Sequence, residues 1–157
     1  MSAPERVVLL CRVLGCTIAT SVVRGLRCLP LESLVPSDDA DLPLRGVLRP
    51  CLPLVDLAYL LAGVPGEGTV ALELPVGRTR LAFLVETTLD IVTLARPPAP
   101  LPALLRAAVR YPDCWQALPY EGAVLPLLDL ARVLAPAVAE ELQRQAAALV
   151  AARGSRA

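Results

Sequence analysis

Short apolar runs alternate with polar turns along this chain, and one run occurs twice. Residues 52–62 (LPLVDLAYLLA) return as residues 125–135 (LPLLDLARVLA), with eight of the eleven positions identical. In each copy a strand-like run reaches an Asp and then a helical pattern. Asp56 and Asp129 are therefore predicted to cap short helices, at about 1 kcal/mol each. Two copies predict a duplicated strand-to-helix corner, because a solenoid needs three or more shorter repeats.

The pattern of the first half predicts a β-hairpin followed by an irregular stretch. Residues 6–14 are rich in Val and Leu, and residues 16–23 have the β-branched content of a second strand, with Gly15 as the turn between them. Gly25 is expected to permit a bulge. Residues 31–44 contain Pro, Ser and Asp in a cluster, which favours an exposed loop.

Apolar content returns at residues 45–55 and leads into the first capped helix, which Gly63 is expected to end. Residues 65–68 (PGEG) mark the boundary between the two halves. The second half predicts a hairpin with strands at residues 69–75 and 80–86. The further predicted elements are a strand at 88–94, a proline-rich connector at 96–102 and a helical turn at 104–110.

The tail of the chain has a different pattern, and residues 136–153 (PAVAEELQRQAAALVAAR) predict a helix. Pro is tolerated at the first helical position, and acidic residues near the start with Arg153 at the end suit the helix dipole. An apolar stripe is formed by Val138, Leu142, Ala146, Leu149 and Val150. The helix is expected to cover part of the β structure, and contact with a partner or a second copy is the alternative.

Many short strands with Pro and Gly turns favour an all-β barrel or sandwich. A chain of 157 residues suits one domain, or one domain built of two fused lobes. Together with the duplication, this predicts two small β lobes.

Composition argues against several functional classes. The formal net charge is zero, with 15 basic and 15 acidic residues spread along the chain, whereas nucleic-acid binding needs clustered basic charge. His and Lys are both missing, which removes the commonest general base and the commonest metal ligand. We therefore expect a protein that is not an enzyme and binds neither a metal nor a cofactor. The alternative from another class, an enzyme on a small β-barrel, would need polar groups that converge in a pocket.

The five cysteines form no C-x-x-C pair, which is typical of a reduced, cytosolic protein. Cys114 lies beside Trp115 but has no His to activate it, so it is not expected to act as a nucleophile. The longest charge-free stretch is residues 13–23, whereas a membrane helix needs about twenty residues. We expect no membrane span and no secretory leader.

Several segments together resemble the CheW-like domain of bacterial chemosensory systems. They are residues 70–94 (VALELPVGRTRLAFLVETTLDIVTL), residues 122–134 (GAVLPLLDLARVL), the early strand pair with Val22 and Val23, and RGV followed by LPLVDL in the middle. The resemblance covers roughly residues 6–135 and depends on the order and spacing of these motifs.

The resemblance implies an all-β fold of two SH3-like, five-stranded β-barrel lobes that share one core, with short helices and a C-terminal helix. It places the CheW-like domain at residues 1–135, with lobes at roughly 6–64 and 67–135, and the helix and tail at residues 136–157. Exchange of strands between the lobes is left open.

The implied function is that of a non-enzymatic adaptor that joins the cytoplasmic tips of chemoreceptors to a CheA-type histidine kinase. Another CheW-like protein is a further candidate partner. The expected location is the cytoplasm, at receptor arrays, with no nucleic-acid partner and no direct insertion into the membrane.

The chain departs from the family at one implied partner-binding position. Family members carry a Glu after the second strand that pairs with an Arg of a Leu-Arg-Gly motif; here Arg24 stands in the Glu position, and either Arg45 or Arg49 matches the family Arg. Like charges would repel, so kinase binding is expected to weaken while receptor binding is kept. The alternative is that all three arginines are solvated surface charges.

Further partner-binding candidates match the family's segments near the lobe junction: Val22, Val85, Glu86, Thr88 and Leu89. For Val85 and Leu89, plain core packing is the alternative.

Overall fold

The strands of this protein form two curled six-stranded sheets. The computed structural model describes residues 6–32, 34–37 and 43–154. In chain order the elements are β1 (Val7–Val13), β2 (Cys16–Ser21), β3 (Arg27–Pro30), β4 (Val35–Pro36), β5 (Leu44–Leu48), β6 (Leu52–Asp56), α1 (Leu57–Ala62), β7 (Val70–Val76), β8 (Thr79–Val85), β9 (Thr87–Thr93), β10 (Ala99–Pro100), α2 (Ala103–Ala108), a 3-10 helix (Pro112–Cys114), β11 (Trp115–Tyr120), β12 (Ala123–Leu128), α3 (Leu130–Val133) and α4 (Pro136–Gly154).

Sheet A has the strand order β10-β11-β12-β2-β1-β9, and sheet B has the order β3-β7-β8-β6-β5-β4. Each sheet consists of five longer strands and one two-residue strand, β10 or β4. Most neighbours are antiparallel, and each sheet has one parallel pair, β12 with β2 and β6 with β8. The predicted fold class of two β-barrel lobes is thereby confirmed.

The chain passes between the sheets more than once. After β2 it leaves sheet A and builds sheet B from β3 to β8, and at β9 it returns to sheet A. The two lobe segments expected from the sequence are residues 6–64 and 67–135, and each sheet contains strands from both of them. Strands from both ends of the sequence meet in sheet A.

Both predicted hairpins are confirmed. β1 pairs with β2 around Gly15, and β7 pairs with β8 around Gly77. The expected bulge at Gly25 is wrong: Gly25 lies in the turn between β2 and β3 with φ +89°, a conformation that glycine adopts without strain. Strand β11 was not predicted, because two of its six residues are Gln and Pro.

The core has three parts, and β1 contributes to two of them. Leu9, Cys11 and Val13 face a core that is shared by both sheets and also contains Phe83 from β8. Val8 and Leu10 face the interior of sheet A with Leu118 and Leu127, and sheet B has its own interior cluster around Leu54. Strands that are buried on both faces read as continuous apolar runs, which explains the runs in the sequence.

Both copies of the repeated segment form a strand that turns into a helix, β6 into α1 and β12 into α3. The Asp56 carboxylate accepts a hydrogen bond from the Tyr59 amide at 3.2 Å, and Gly63 ends α1 in a left-handed conformation, as predicted. The prediction for Asp129 is wrong in its chemistry: Asp129 lies at the N-cap position, but its side chain makes no capping hydrogen bond.

The C-terminal helix α4 packs against β5, β6 and β8 of sheet B. Its buried face is narrow and consists of Ala139, Leu142 and Ala146. The predicted stripe is wrong at Val138, which is 44% exposed. Gln143 donates a hydrogen bond to the carbonyl oxygen of Cys51 at 3.0 Å, which ties α4 to the turn between β5 and β6. Among the helices that the structure describes, none is long and apolar enough to cross a membrane.

Candidate partner-docking surface

The crossing from β8 to β9 joins the two sheets and is held by Glu86. The Glu86 carboxylate accepts a hydrogen bond from the Gly15 amide at 2.9 Å, in the β1–β2 turn. The Glu86 amide donates to the Arg12 carbonyl oxygen, also at 2.9 Å, and its carbonyl oxygen accepts from the Thr69 hydroxyl at 3.2 Å. Glu86 therefore fixes the lobe junction, and its carboxylate is already engaged.

The candidates on either side of Glu86 differ in exposure. Val85 is 2% exposed and belongs to the shared core. It is therefore a core residue, which was the alternative to partner binding. Thr88 is half-buried and lies opposite Cys11. Leu89 is 45% exposed, close to the register shift between β1 and β9. Among these residues, only Leu89 has an exposed apolar side chain.

Three apolar residues near the junction are exposed, namely Val22, Leu89 and Ile91, and together we call them the junction strip. Ile91 is 65% exposed and pairs with Leu9. Since paired residues of antiparallel strands share a face, Ile91 continues the face of the shared core out to the edge of sheet A. Val22 is 40% exposed and follows β2, which flanks β1 on the side away from β9. Its amide donates a hydrogen bond to the carbonyl oxygen of Val7 in β1.

Ile91 was not among the predicted site residues. The signal was present in the alternation of Leu89 and Ile91 along the strand. Alternation predicts one shared face, but only the position of β9 at the edge of sheet A leaves that face open to solvent.

The turn that carries Arg24 is held by the exposed Arg80, which forms an ion pair with the buried Glu73 of sheet B. Arg80 donates to the Glu73 carboxylate at 2.9 Å and to the Gly25 carbonyl oxygen at 2.6 Å. Glu73 is only 8% exposed, and Arg27 lies 3.7 Å from its second carboxylate oxygen. Arg24 itself is exposed, and no ion pair links it to a carboxylate in the part of the chain that the structure describes.

Arg45 has a different set of contacts. Its Nε lies 3.8 Å from the Asp56 carboxylate, and it donates to the Gly66 carbonyl oxygen at 3.4 Å. Asp56 is buried and also accepts a hydrogen bond from the Gly66 amide at 2.9 Å. Arg49 is exposed in the turn after β5. Within the described residues, no contact joins Arg24 to Arg45 or Arg49, and Arg45 has a carboxylate partner instead of facing a like charge.

The described residues contain no group of three or more His, Cys, Asp or Glu side chains that could hold a metal ion. Cys114 is buried, and burial raises the pKa of its thiol, although nearby Arg132 acts in the opposite direction. A buried thiol with a raised pKa is a poor nucleophile.

Two curled β-barrel lobes, a shared core and strand-to-helix corners in both lobes define a CheW-like fold. The structure is similar to the crystal structure of the scaffolding protein TtCheW from Thermoanaerobacter tengcongensis, with a TM-score of 0.67 and 8% sequence identity. The alignment covers 84% of this chain and 89% of that chain. No protein-family model and no curated protein sequence matches this chain. The fold is therefore CheW-like with a strongly divergent sequence.

Proposed function

We propose that this protein is a non-enzymatic adaptor of a bacterial chemosensory complex and acts by binding alone, in the cytoplasm at receptor arrays. The observation that supports this most is the CheW-like fold over most of the chain, together with the description of TtCheW as a scaffolding protein. The exposed junction strip fits this role, since apolar surface that is removed from water on binding contributes roughly 25 cal/mol per Å².

In the finer form of the proposal, the junction strip docks the cytoplasmic tip of a chemoreceptor. Val22, Leu89 and Ile91 supply the apolar contact, and the exposed Arg24 supplies charge at the adjacent turn. Arg80 and Glu73 hold that turn in place, so the position of Arg24 is set by sheet B while the apolar strip belongs to sheet A. A partner that contacts both features binds to both lobes at once, so its affinity depends on the relative position of the two lobes.

Coupling to a CheA-type histidine kinase is the weaker part of the proposal. Arg24 is a cation where the family carries a Glu, and charge complementarity affects both the specificity and the rate of association. We expect binding to an isolated kinase regulatory domain to be weak or absent, with binding to a receptor tip or to another CheW-like protein kept.

Binding of the purified protein to a cognate receptor tip and to a kinase regulatory domain, titrated separately by calorimetry, tests both parts. Ile91→Glu should weaken receptor binding by about tenfold or more, because a charge replaces an apolar contact. Val124→Glu is a matched control, since Val124 is likewise an exposed β-branched residue of a strand, 68% exposed against 65% for Ile91. Unchanged affinity in Ile91→Glu, or equal loss in both variants, would contradict the docking surface.

The substitution Arg24→Glu tests the kinase part. It should strengthen binding to the kinase regulatory domain and leave the receptor affinity within about twofold, because the apolar strip is untouched. Kinase binding by the unmodified protein that is as tight as its receptor binding would count against the idea that Arg24 weakens this contact.

A further inference from the structure

The outer strands of the two sheets differ in how far they are open to pairing with another strand. Among the described strands, β10 and β4 have two residues each and β3 has four, and all three end in Pro. Short edge strands and Pro are two ways in which proteins keep their sheets from pairing with other chains, since Pro has no amide hydrogen. The fourth outer strand, β9 (TTLDIVT), has seven residues and no Pro.

In the part of the chain that the structure describes, β9 pairs with β1 on one side only. We call its other side, which faces away from β1, the β9 edge. Leu89 and Ile91 are 45% and 65% exposed, and Asp90 between them is exposed as well. Asp90 is the only charged residue of β9, and the Thr, Ile and Val around it favour an extended strand. A long, exposed edge with little charge is the kind that pairs with a strand of another chain.

The direction of the Ile91 amide follows from the hydrogen bonds at the end of β9. Along a strand of an antiparallel pair, the amides point alternately towards the partner strand and away from it. The Leu94 amide donates to the Arg6 carbonyl oxygen at 2.8 Å, and the register with β1 is regular from Thr93 to Asp90. Ile91 lies three residues before Leu94, so its amide points away from β1 and belongs to the β9 edge.

The Asp90 carboxylate already binds this amide. The Ile91 amide donates a hydrogen bond to Oδ1 of Asp90 at 2.8 Å. A side chain that binds the neighbouring backbone in this way competes with a β-ladder for the same donor. An incoming strand would have to displace the carboxylate before its own carbonyl oxygen could accept a hydrogen bond from Ile91.

The chemistry of the β9 edge indicates which partner Asp90 excludes. The alternating donors and acceptors of an open strand are matched by another extended strand. A second copy of this chain offers an identical edge, and antiparallel pairing of two β9 strands around a two-fold axis uses the same groups twice. Apart from Asp90, β9 contains only Thr, Leu, Ile and Val, so no other like charges would meet. Loss of Asp90 would therefore open both strands of such a dimer at once.

We propose that Asp90 keeps the β9 edge closed to strand pairing with a second copy of this chain, by holding the Ile91 amide. The chain thereby stays monomeric, and Leu89 and Ile91 stay exposed. The proposal concerns the backbone edge of β9, so it stands whether or not the junction strip binds a chemoreceptor.

Sedimentation velocity of Asp90→Ala and of the unmodified protein tests the proposal, over concentrations up to about 1 mM. The unmodified protein should remain monomeric throughout. Asp90→Ala should be at least half dimeric at about 0.1 mM, because a dimer gains a free amide donor from each copy. A monomeric Asp90→Ala, an equally strong dimer of the unmodified protein, or aggregates larger than a dimer would overturn the proposal.

Two further variants separate the hydrogen bond from the charge. Asp90→Asn removes the charge but keeps an oxygen that accepts from the Ile91 amide, so it should stay monomeric. Glu67→Ala removes an acidic residue from an exposed loop outside the sheets and should also stay monomeric. A dimer of either variant as strong as that of Asp90→Ala would assign the effect to charge and contradict the role of the Ile91 amide.

The double variant Asp90→Ala with Ile91→Pro locates the contact. Pro has no amide hydrogen, and because the Ile91 amide faces away from β1, sheet A loses no hydrogen bond. The double variant should show the native circular dichroism spectrum and remain monomeric. A double variant that still forms the dimer would place the contact elsewhere and overturn the proposal.

Amide hydrogen exchange followed by NMR gives a readout that does not depend on the Pro variant. The Ile91 amide should exchange faster in monomeric Asp90→Ala than in the unmodified protein, and slowly again in the dimer. An exchange rate of Ile91 that is the same in all three samples would contradict the proposal.

Discussion

At the scale of single residues, the two carboxylates of the repeated segment have different functions. Asp56 is 2% exposed and accepts hydrogen bonds from the Tyr59 and Gly66 amides, with Arg45 nearby. A Cβ added to Gly66 would lie 2.9 Å from the Asp56 carboxylate, so only glycine brings the linker this close. Asp129 is half-buried and makes no capping hydrogen bond. Asp56 therefore stabilises both a helix and the linker between the halves.

The substitution Asp56→Ala should lower the free energy of unfolding by about 2–3 kcal/mol, because it removes the cap and leaves the buried Gly66 amide without an acceptor. Asp129→Ala is the matched control and should cost less than about 0.5 kcal/mol. Urea denaturation of the two variants measures the difference. Equal costs would show that Asp129 stabilises α3 in solution as Asp56 stabilises α1.

Cys11 makes stability depend on pH. Burial raises the pKa of its thiol from 9.0 to about 12, with a smaller contribution from Cys28. In the unfolded chain the thiol loses its proton near its ordinary value, while in the folded chain it keeps it. The stability from this group is therefore fully present below about pH 9 and is lost as the pH rises towards 12.

The test is the slope of stability against pH. Cys11→Ala should reduce the decline in unfolding free energy between about pH 8 and about pH 10.5, even though the cavity lowers stability at neutral pH. Cys16→Ala removes an exposed thiol and is the control for cysteine loss in general. An equal decline in both variants would contradict the assignment to Cys11.

At the scale of elements, the helices are unequal in how they attach to the sheets. α4 buries Ala139, Leu142 and Ala146 against sheet B and is anchored by Gln143. α2 buries none of its residues. Both sequences are rich in Ala, so composition alone does not separate a helix that completes the fold from one that stays exposed to solvent.

Because α4 is part of the folded unit, Leu142→Ala should destabilise the protein by about 2–3 kcal/mol. Val138→Ala, on the exposed side of the same helix, should change stability by less than about 0.5 kcal/mol. Thermal or urea unfolding of the two variants gives the comparison. A small effect at Leu142 would mean that α4 does not stay on sheet B in solution.

At the scale of the whole molecule, the shared core couples the two sheets. Phe83 of β8 is fully buried in a cluster that also contains Leu9 of β1 and Leu128 of β12. The chain crosses between the sheets after β2 and again after β8, at Glu86. Neither sheet can lose its structure without exposing the face that it shares with the other.

We therefore expect a single cooperative unfolding transition, even after the shared core is weakened. Phe83→Leu should lower the stability by about 1–2 kcal/mol. The fluorescence of Trp115, the only tryptophan and a residue of sheet A, should shift together with the far-ultraviolet circular dichroism of both sheets. Separate midpoints for the two signals would show that the lobes unfold independently.

The sequence by itself determined the local structure. Apolar runs, β-branched residues and glycine turns specified the hairpins, and the repeated LPL-x-DLA segment specified two strand-to-helix corners, because these signals act between neighbours in the chain. Its motifs also led to the CheW-like fold. Tertiary structure alone decided which strands share a sheet, since β9 pairs with β1 and β12 pairs with β2, and both partners are distant in sequence.

Tertiary structure also decided which side chains are available to a partner. Val85 and Ile91 are both apolar strand residues, yet Val85 lies in the shared core and Ile91 is open to solvent at a sheet edge. The Asp56 carboxylate accepts a hydrogen bond from the Gly66 amide, while the Asp129 side chain makes no capping hydrogen bond. Burial and hydrogen bonding depend on groups that other parts of the chain bring close, and a local pattern carries no information about those groups.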